Sequence, residues 1–195
     1  MRTVHVVAGT VIAALVISGC SVNPDDEFDL APLQPQTDAT VESVMLDPCA
    51  KPNLTTVEPG AITFVTSEVP APPYFQSEIP GDRLGLDADF AYELAEQLGY
   101  RPGQVAWKFA PIEQIVQGEF VDFDVALGGF TEVAEGPVVG VPVPYPPRTA
   151  AGATQQPPYS LIMVAENPLV ECVRLAMGEM SESGSLEDLQ RRWIP

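Results

Sequence analysis

The stretch that decides the fold runs over residues 61–109 and reads AITFVTSEVPAPPYFQSEIPGDRLGLDADFAYELAEQLGYRPGQVAWKF. Its first residues, 61–66, form a short apolar run after Pro59-Gly60 and predict a buried strand. A helix follows, with Asp87 as its predicted N-cap and Gly99 as its stop. Its apolar stripe is Leu86, Phe90, Leu94 and Leu98. A second strand is predicted over 105–109, so this stretch predicts a parallel βαβ unit.

The rest of the chain continues the alternation of strands and helices. A short helix is predicted over 112–116, and strands over 123–127 and 159–164. Asn167 caps the next predicted helix, with Pro168 at its first position, and Ser185 caps the last one. Met177, Met180 and Trp193 fall on apolar faces, where core packing is the favoured interpretation over ligand contact. The fold class is therefore α/β, with a mainly parallel sheet flanked by helices.

The N-terminus has the pattern of a secretion signal. Arg2 is followed by an apolar run that is shorter than the roughly 20 residues of a membrane span. The run ends in Ile17-Ser18-Gly19-Cys20, which resembles a lipobox, whose cysteine is diacylated after cleavage. Residues 1–19 are thus predicted to be a lipoprotein signal peptide, and Cys20 to anchor the chain outside the cytoplasmic membrane. An ordinary signal peptide and a helix with a chance cysteine are the alternatives.

Charge and composition divide the remaining chain in two. Residues 20–48 are acidic, rich in proline and without sustained periodicity, which is typical of a tether. Residues 49–195 form the predicted folded domain. The sequence has 27 acidic and 9 basic residues, and such a surface repels nucleic acid.

The cysteines and the single histidine limit the chemistry of the domain. Once Cys20 carries lipid, Cys49 and Cys172 remain in an oxidising compartment, which favours a disulfide over two buried free thiols. His5 lies in the signal peptide, so the mature chain has no histidine for Cys-His or Ser-His catalysis. A metal site is improbable for the same reason, and no cofactor is predicted.

Several phrases, in this order and spacing, resemble the extracellular solute-binding proteins of polar amino-acid ABC importers. They are Cys49-Ala50-Lys51-Pro52, Pro59-Gly60-Ala61-Ile62-Thr63, Pro72-Pro73-Tyr74-Phe75, Gly85-Leu86-Asp87-Ala88-Asp89-Phe90, Phe123 through Thr131, Pro144-Tyr145, Asn167-Pro168-Leu169 and Gly184-Ser185-Leu186. The resemblance covers most of residues 49–195. It implies a lobe of a type II periplasmic-binding-protein fold, a polar amino acid as solute and an ABC permease as partner.

The resemblance also implies a ligand site at the carboxyl edge of the parallel strands, where α/β sheets bind ligands. Tyr74 and Phe75 are candidates to stack on a ligand, and Gly129 and Thr131 to donate hydrogen bonds. Arg148 is a candidate anchor for a carboxylate. The alternatives are that the two aromatic rings close the core, that the glycine only turns the chain, and that Arg148 is a solvated loop residue.

Two departures from the family pattern are expected to weaken the binding of an amino-acid ligand. Family members insert a second lobe, on the order of a hundred residues, after the Pro-Tyr phrase. Here 13 residues separate Tyr145 from Tyr159, so the second lobe is predicted to be missing. The family also places an arginine shortly after the threonine to bind the ligand carboxylate. This chain has Glu132 and Glu135 there instead.

Three classes of function follow from these observations. The first is a one-lobe binding module with weakened capture, and the second is a structural or interaction lipoprotein of the cell envelope that no longer binds solute. The third is an enzyme, with Asp87 and Asp89 or Glu132 and Glu135 as an acid–base pair. The predicted capping role of Asp87 and the predicted exposure of the glutamates argue against the enzyme.

Overall fold

The computed structural model describes residues 47–130, 136–144 and 159–194. Its centre is a five-stranded sheet with the strand order β2-β1-β3-β5-β4. The strands are β1 Ile62–Thr66, β2 Val105–Phe109, β3 Val125–Phe130, β4 Val138–Pro142 and β5 Ser160–Val164. No helix among the described residues is both long and apolar enough to cross a membrane.

Four of the five strands run in the same direction. β1 pairs in parallel with both β2 and β3, whereas β5 is antiparallel to β3 and to β4. The predicted mainly parallel sheet is therefore confirmed. The strand that sequence reasoning missed is β4, which has glycine and proline around and within it. β4 lies at the edge of the sheet. A proline is tolerated there, because no neighbouring strand requires the N–H that Pro142 lacks.

Helices cover both faces of the sheet. They are α1 Leu86–Gln97, α2 Ile112–Val116, α3 Leu169–Glu182 and α4 Ser185–Trp193, with 3-10 turns at Lys51–Asn53, Pro80–Asp82 and Pro102–Gln104. Alternate strand residues divide the core: Phe64 and Leu127 pack in the larger cluster with α1, α3 and α4. Val65 and Ala126 pack in the smaller cluster with Ile115 of α2.

The predicted core residues of the helices are confirmed, but two predicted caps are wrong. Leu86, Phe90, Leu94 and Leu98 are buried, as are Met177 and Met180. The N-cap of α1 is Gly85, and the Asp87 side chain caps nothing. Ser185 is the first residue of α4 rather than its cap. The Asn167 side chain does accept a hydrogen bond from the Leu169 N–H at 2.9 Å, as a cap should.

Two features attach the start of the domain to its core. Cys49 and Cys172 form a disulfide with 5.2 Å between their Cα atoms, so the two thiols are not free. Asp124 is buried and accepts hydrogen bonds from the backbone N–H groups of Val57, at 2.9 Å, and Thr63, at 2.7 Å. The strand predicted over 123–127 begins at Val125, directly after Asp124, and continues to Phe130.

Candidate functional site

The carboxyl ends of β1 and β3 meet at one edge of the sheet. Thr66 ends β1, and Gly128 and Gly129 lie near the end of β3. Gly129 has a φ of +69°, which disfavours any residue with a Cβ. A Cβ at this position would also stand 2.9 Å from Cε2 of Tyr74. The backbone of β3 is therefore bare at the place where an aromatic ring packs on it.

Two tyrosine rings cover this edge. Tyr74 precedes α1, and its half-buried ring packs against Gly129. Tyr159 directly precedes β5, and its ring is stacked on that of Tyr74, with 5.9 Å between the centroids and 13° between the planes. The hydroxyl of Tyr159 points inward and donates a 2.5 Å hydrogen bond to Oδ1 of Asp87.

Asp87 is the buried acid of the site. Its side chain has no exposed surface, and its Oδ2 has no hydrogen-bond partner among the described residues. Burial raises the pKa of this carboxyl from 3.8 to about 7, because desolvation disfavours the charged form. The Tyr159 hydroxyl and the nearby backbone N–H groups of Gly129 and Gly128 lower the pKa in part. An acid that titrates near neutral pH thus lies beside Gly128 and Gly129 of β3.

Asp89, two residues further along α1, has a different role. Its Oδ1 accepts hydrogen bonds from Arg83, from Nη2 at 2.8 Å and Nε at 3.1 Å. Its Oδ2 accepts hydrogen bonds from Arg192 and, at 3.0 Å, from Nε1 of Trp193. Both oxygens are therefore used to attach α4 and the loop before α1, which does not favour Asp87 and Asp89 as one acid–base pair.

The structure brings some of the predicted site residues together and separates others. Tyr74 and Gly129 are in contact at the sheet edge. Phe75 is buried in the core with its ring edge-on to Trp107, at a centroid distance of 5.8 Å, so core closure rather than ligand stacking describes its position. Thr131 and Arg148 lie outside the described residues, as do Glu132, Glu135 and Cys20.

Sequence reasoning missed Thr66, Gly128 and Tyr159, and it misread Asp87. A signal for Asp87 was present, because it precedes Phe90 by three residues and Ala91 by four and so lies on the buried face of α1. A carboxyl on an apolar face indicates a special environment rather than a cap. No group of three or more potential metal ligands occurs in the described part of the chain.

The burial of Asp87 predicts a dependence of stability on pH. The native protein binds this proton more tightly than the unfolded chain does, so the stabilisation is complete below about pH 4 and is lost as the pH rises to about 7. We expect Asp87→Asn to remove this decline, which is at most about 1.4 kcal/mol per pH unit. Urea unfolding at several pH values measures the difference from the wild type. Asp122→Asn, at an exposed carboxylate, is the control. An unchanged slope in Asp87→Asn would contradict the assignment.

Comparison with known proteins connects this geometry to a fold. No family model matches the chain, and no curated protein matches it. Among solved structures, an ancestral cationic amino acid solute-binding protein aligns with a TM-score of 0.51 at 15% identity, over 71% of this chain and 97% of its own. The chain therefore has the fold of a solute-binding lobe, as the phrases in its sequence predicted.

Two further structures are similar at lower scores. A point mutant of the arginine-bound form of domain 1 from TmArgBP aligns with a TM-score of 0.46 at 21% identity, over 63% of this chain and 93% of its own. An ancestral amino acid-binding protein, described as a precursor of cyclohexadienyl dehydratase, aligns with a TM-score of 0.45 at 15% identity, over 80% and 99% of the two chains.

Proposed function

We propose that this chain is a lipid-anchored, extracytoplasmic solute-binding lobe associated with amino-acid ABC transport, and that its capture of amino acids is weak. The observation that carries the proposal is the bare Gly128-Gly129 edge of β3 under Tyr74, in a solute-binding fold. This is the edge at which α/β sheets bind ligands. A polar amino acid is the proposed solute class, and an ABC permease is the proposed partner.

Weak capture is supported by what the site contains. Asp87, the acid of the site, repels a carboxylate when it is ionised. Arg83 and Arg192 bind Asp89, and Lys108 is paired with Asp122 at 2.7 Å, so these basic groups are used elsewhere. The short connection between Tyr145 and Tyr159 leaves no room in the sequence for a second lobe that would enclose a ligand.

The second candidate is a structural or interaction lipoprotein of the envelope that no longer binds solute. One observation favours it: the ring of Tyr74 already rests on Gly129, and Tyr159 already binds Asp87. The protein's own side chains thus use the contacts that a ligand would need. Saturable binding of any small solute at this edge would decide against this candidate. We assign the chain no catalytic step.

The anchor is tested at Cys20. We expect Cys20→Ala to lose its lipid and leave the membrane fraction, because the thiol is the attachment point of the acyl chains. The measurement is labelling of growing cells with an alkyne fatty acid, followed by fractionation without detergent.

Ser21→Ala, which keeps the thiol, serves as the matched control and should remain labelled and membrane-bound. Fatty-acid label on Cys20→Ala, or an unlabelled wild type, would contradict the lipid anchor.

A further inference from the structure

Two buried oxygen atoms at the same end of the sheet lack hydrogen-bond partners among the described residues. They are Oδ2 of Asp87 and Oγ1 of Thr66. Both oxygen atoms lie close to Gly128. The backbone N–H of Gly128 lies beside the Asp87 carboxyl. A Cβ placed on Gly128 would stand 3.7 Å from Oγ1 of Thr66. Buried polar atoms without partners are rare in native proteins, so a pair of them at a ligand-binding edge calls for a donor.

The chemistry of the surroundings selects a cationic donor. A buried carboxylate requires either a proton or a positive group. The faces of the Tyr74 and Tyr159 rings carry the negative part of the aromatic quadrupole, which attracts cations. An ammonium group has three N–H donors and no acceptor, and it is small enough to reach recessed oxygens.

We propose that this edge binds the ammonium group of a small primary amine, with Asp87 as the counter-charge and Thr66 as a second acceptor. The inference rests on the proposed solute-binding function and adds a ligand class to the weakly held amino acids: a small amine without a carboxylate. The half-buried Tyr74 ring is the group that moves off Gly129 to admit it, whereas Tyr159 is held by its hydrogen bond to Asp87.

The proposal fixes how binding depends on pH. The titratable side chains that face Asp87 are Tyr159 and, behind it, Tyr74, while Asp89 is turned toward Arg83 and Arg192. The amine must displace the proton of Asp87. Its affinity therefore rises up to about tenfold per pH unit below neutrality and levels off above it.

The test is calorimetry on the full-length lipidated protein in a non-ionic detergent, with n-propylammonium as the probe. The uncharged 1-propanol and the donor-free tetramethylammonium ion are the reference probes. We expect propylammonium alone to bind, with the pH dependence given above. No heat from propylammonium at any pH, or equal binding of all three probes, would overturn the proposal.

Variants locate the binding. Asp87→Asn should weaken propylammonium binding at least about tenfold at pH 8, because a charged hydrogen-bond acceptor is lost. Asp122→Asn changes an exposed aspartate that pairs with Lys108 at the surface, and it should bind like the wild type. Thr66→Val removes only an unpartnered hydroxyl, so it should fold normally and bind severalfold more weakly. Equal affinity in Thr66→Val and wild type would contradict the proposal even if Asp87→Asn failed to fold.

The test of the amine site can fail independently of the tests of the proposed function. If propylammonium fails to bind while Cys20 carries lipid and amino acids bind weakly, the amine site is wrong and the lipid-anchored lobe stands. If Cys20 carries no lipid but propylammonium binds through Asp87, the amine site stands and the anchor is wrong.

Discussion

Gly85→Ala is expected to destabilise the domain by about 4 kcal/mol or more, which few single substitutions reach. Gly85 is the N-cap of α1 and has a φ of +117°, a conformation that residues with a Cβ rarely adopt. A Cβ there would stand 2.2 Å from the carbonyl oxygen of Tyr74 and 2.9 Å from the Cα of Phe75. These are backbone atoms, so no side-chain rotation relieves the overlap.

The overlap between a Cβ at residue 85 and the Tyr74 carbonyl would also disturb the candidate site. The Tyr74 carbonyl accepts the Asp87 N–H at 3.0 Å, so displacing it moves both the Tyr74 ring and the buried carboxyl. Urea unfolding followed by circular dichroism measures the loss. Gly60→Ala is the matched control, since Gly60 also has a positive φ, +83°, but open space around it, and it should cost only about 1–2 kcal/mol. Equal stability of the two variants would show that the contact with Tyr74 is unimportant.

The sequence predicted the fold where a single physical effect decides the local structure. The stripe from Leu86 to Leu98 has helical spacing and is buried as predicted. The strand over 105–109 and the helix over 112–116 have the predicted bounds. Burial of alternate strand residues on two faces then follows from strand geometry alone.

Prediction failed where tertiary contacts decide. β4 forms because its backbone pairs with that of the antiparallel strand β5. Gly140 and Pro142 by themselves disfavour a strand. Asp87 satisfies the sequence rule for a helix cap, but its side chain is directed at Tyr159, which is 72 residues away in the chain. No local pattern contains such a partner, so the sequence assigned Asp87 a capping role that its side chain does not have.

The weak capture of amino acids is the second large expected effect. Losing an arginine that binds the ligand carboxylate removes a charge-assisted pair worth about 1.5–3 kcal/mol, or about tenfold to a hundredfold in affinity. Residues Thr131 through Gly136 supply two glutamates and no arginine. Closed pockets remove about 70–90% of a ligand's surface from water, whereas a single lobe leaves much of it hydrated. Water around a ligand that stays hydrated screens its charge interactions with the protein.

Calorimetric titration of the wild-type protein with a panel of polar amino acids tests directly whether the lobe binds such solutes only weakly. The panel includes arginine, glutamine and glutamate, because their side chains are cationic, neutral and anionic in turn. We expect no amino acid to bind with a Kd tighter than about millimolar. Micromolar binding of any of them would contradict it, and would indicate that Arg148 or a partner subunit supplies the carboxylate anchor.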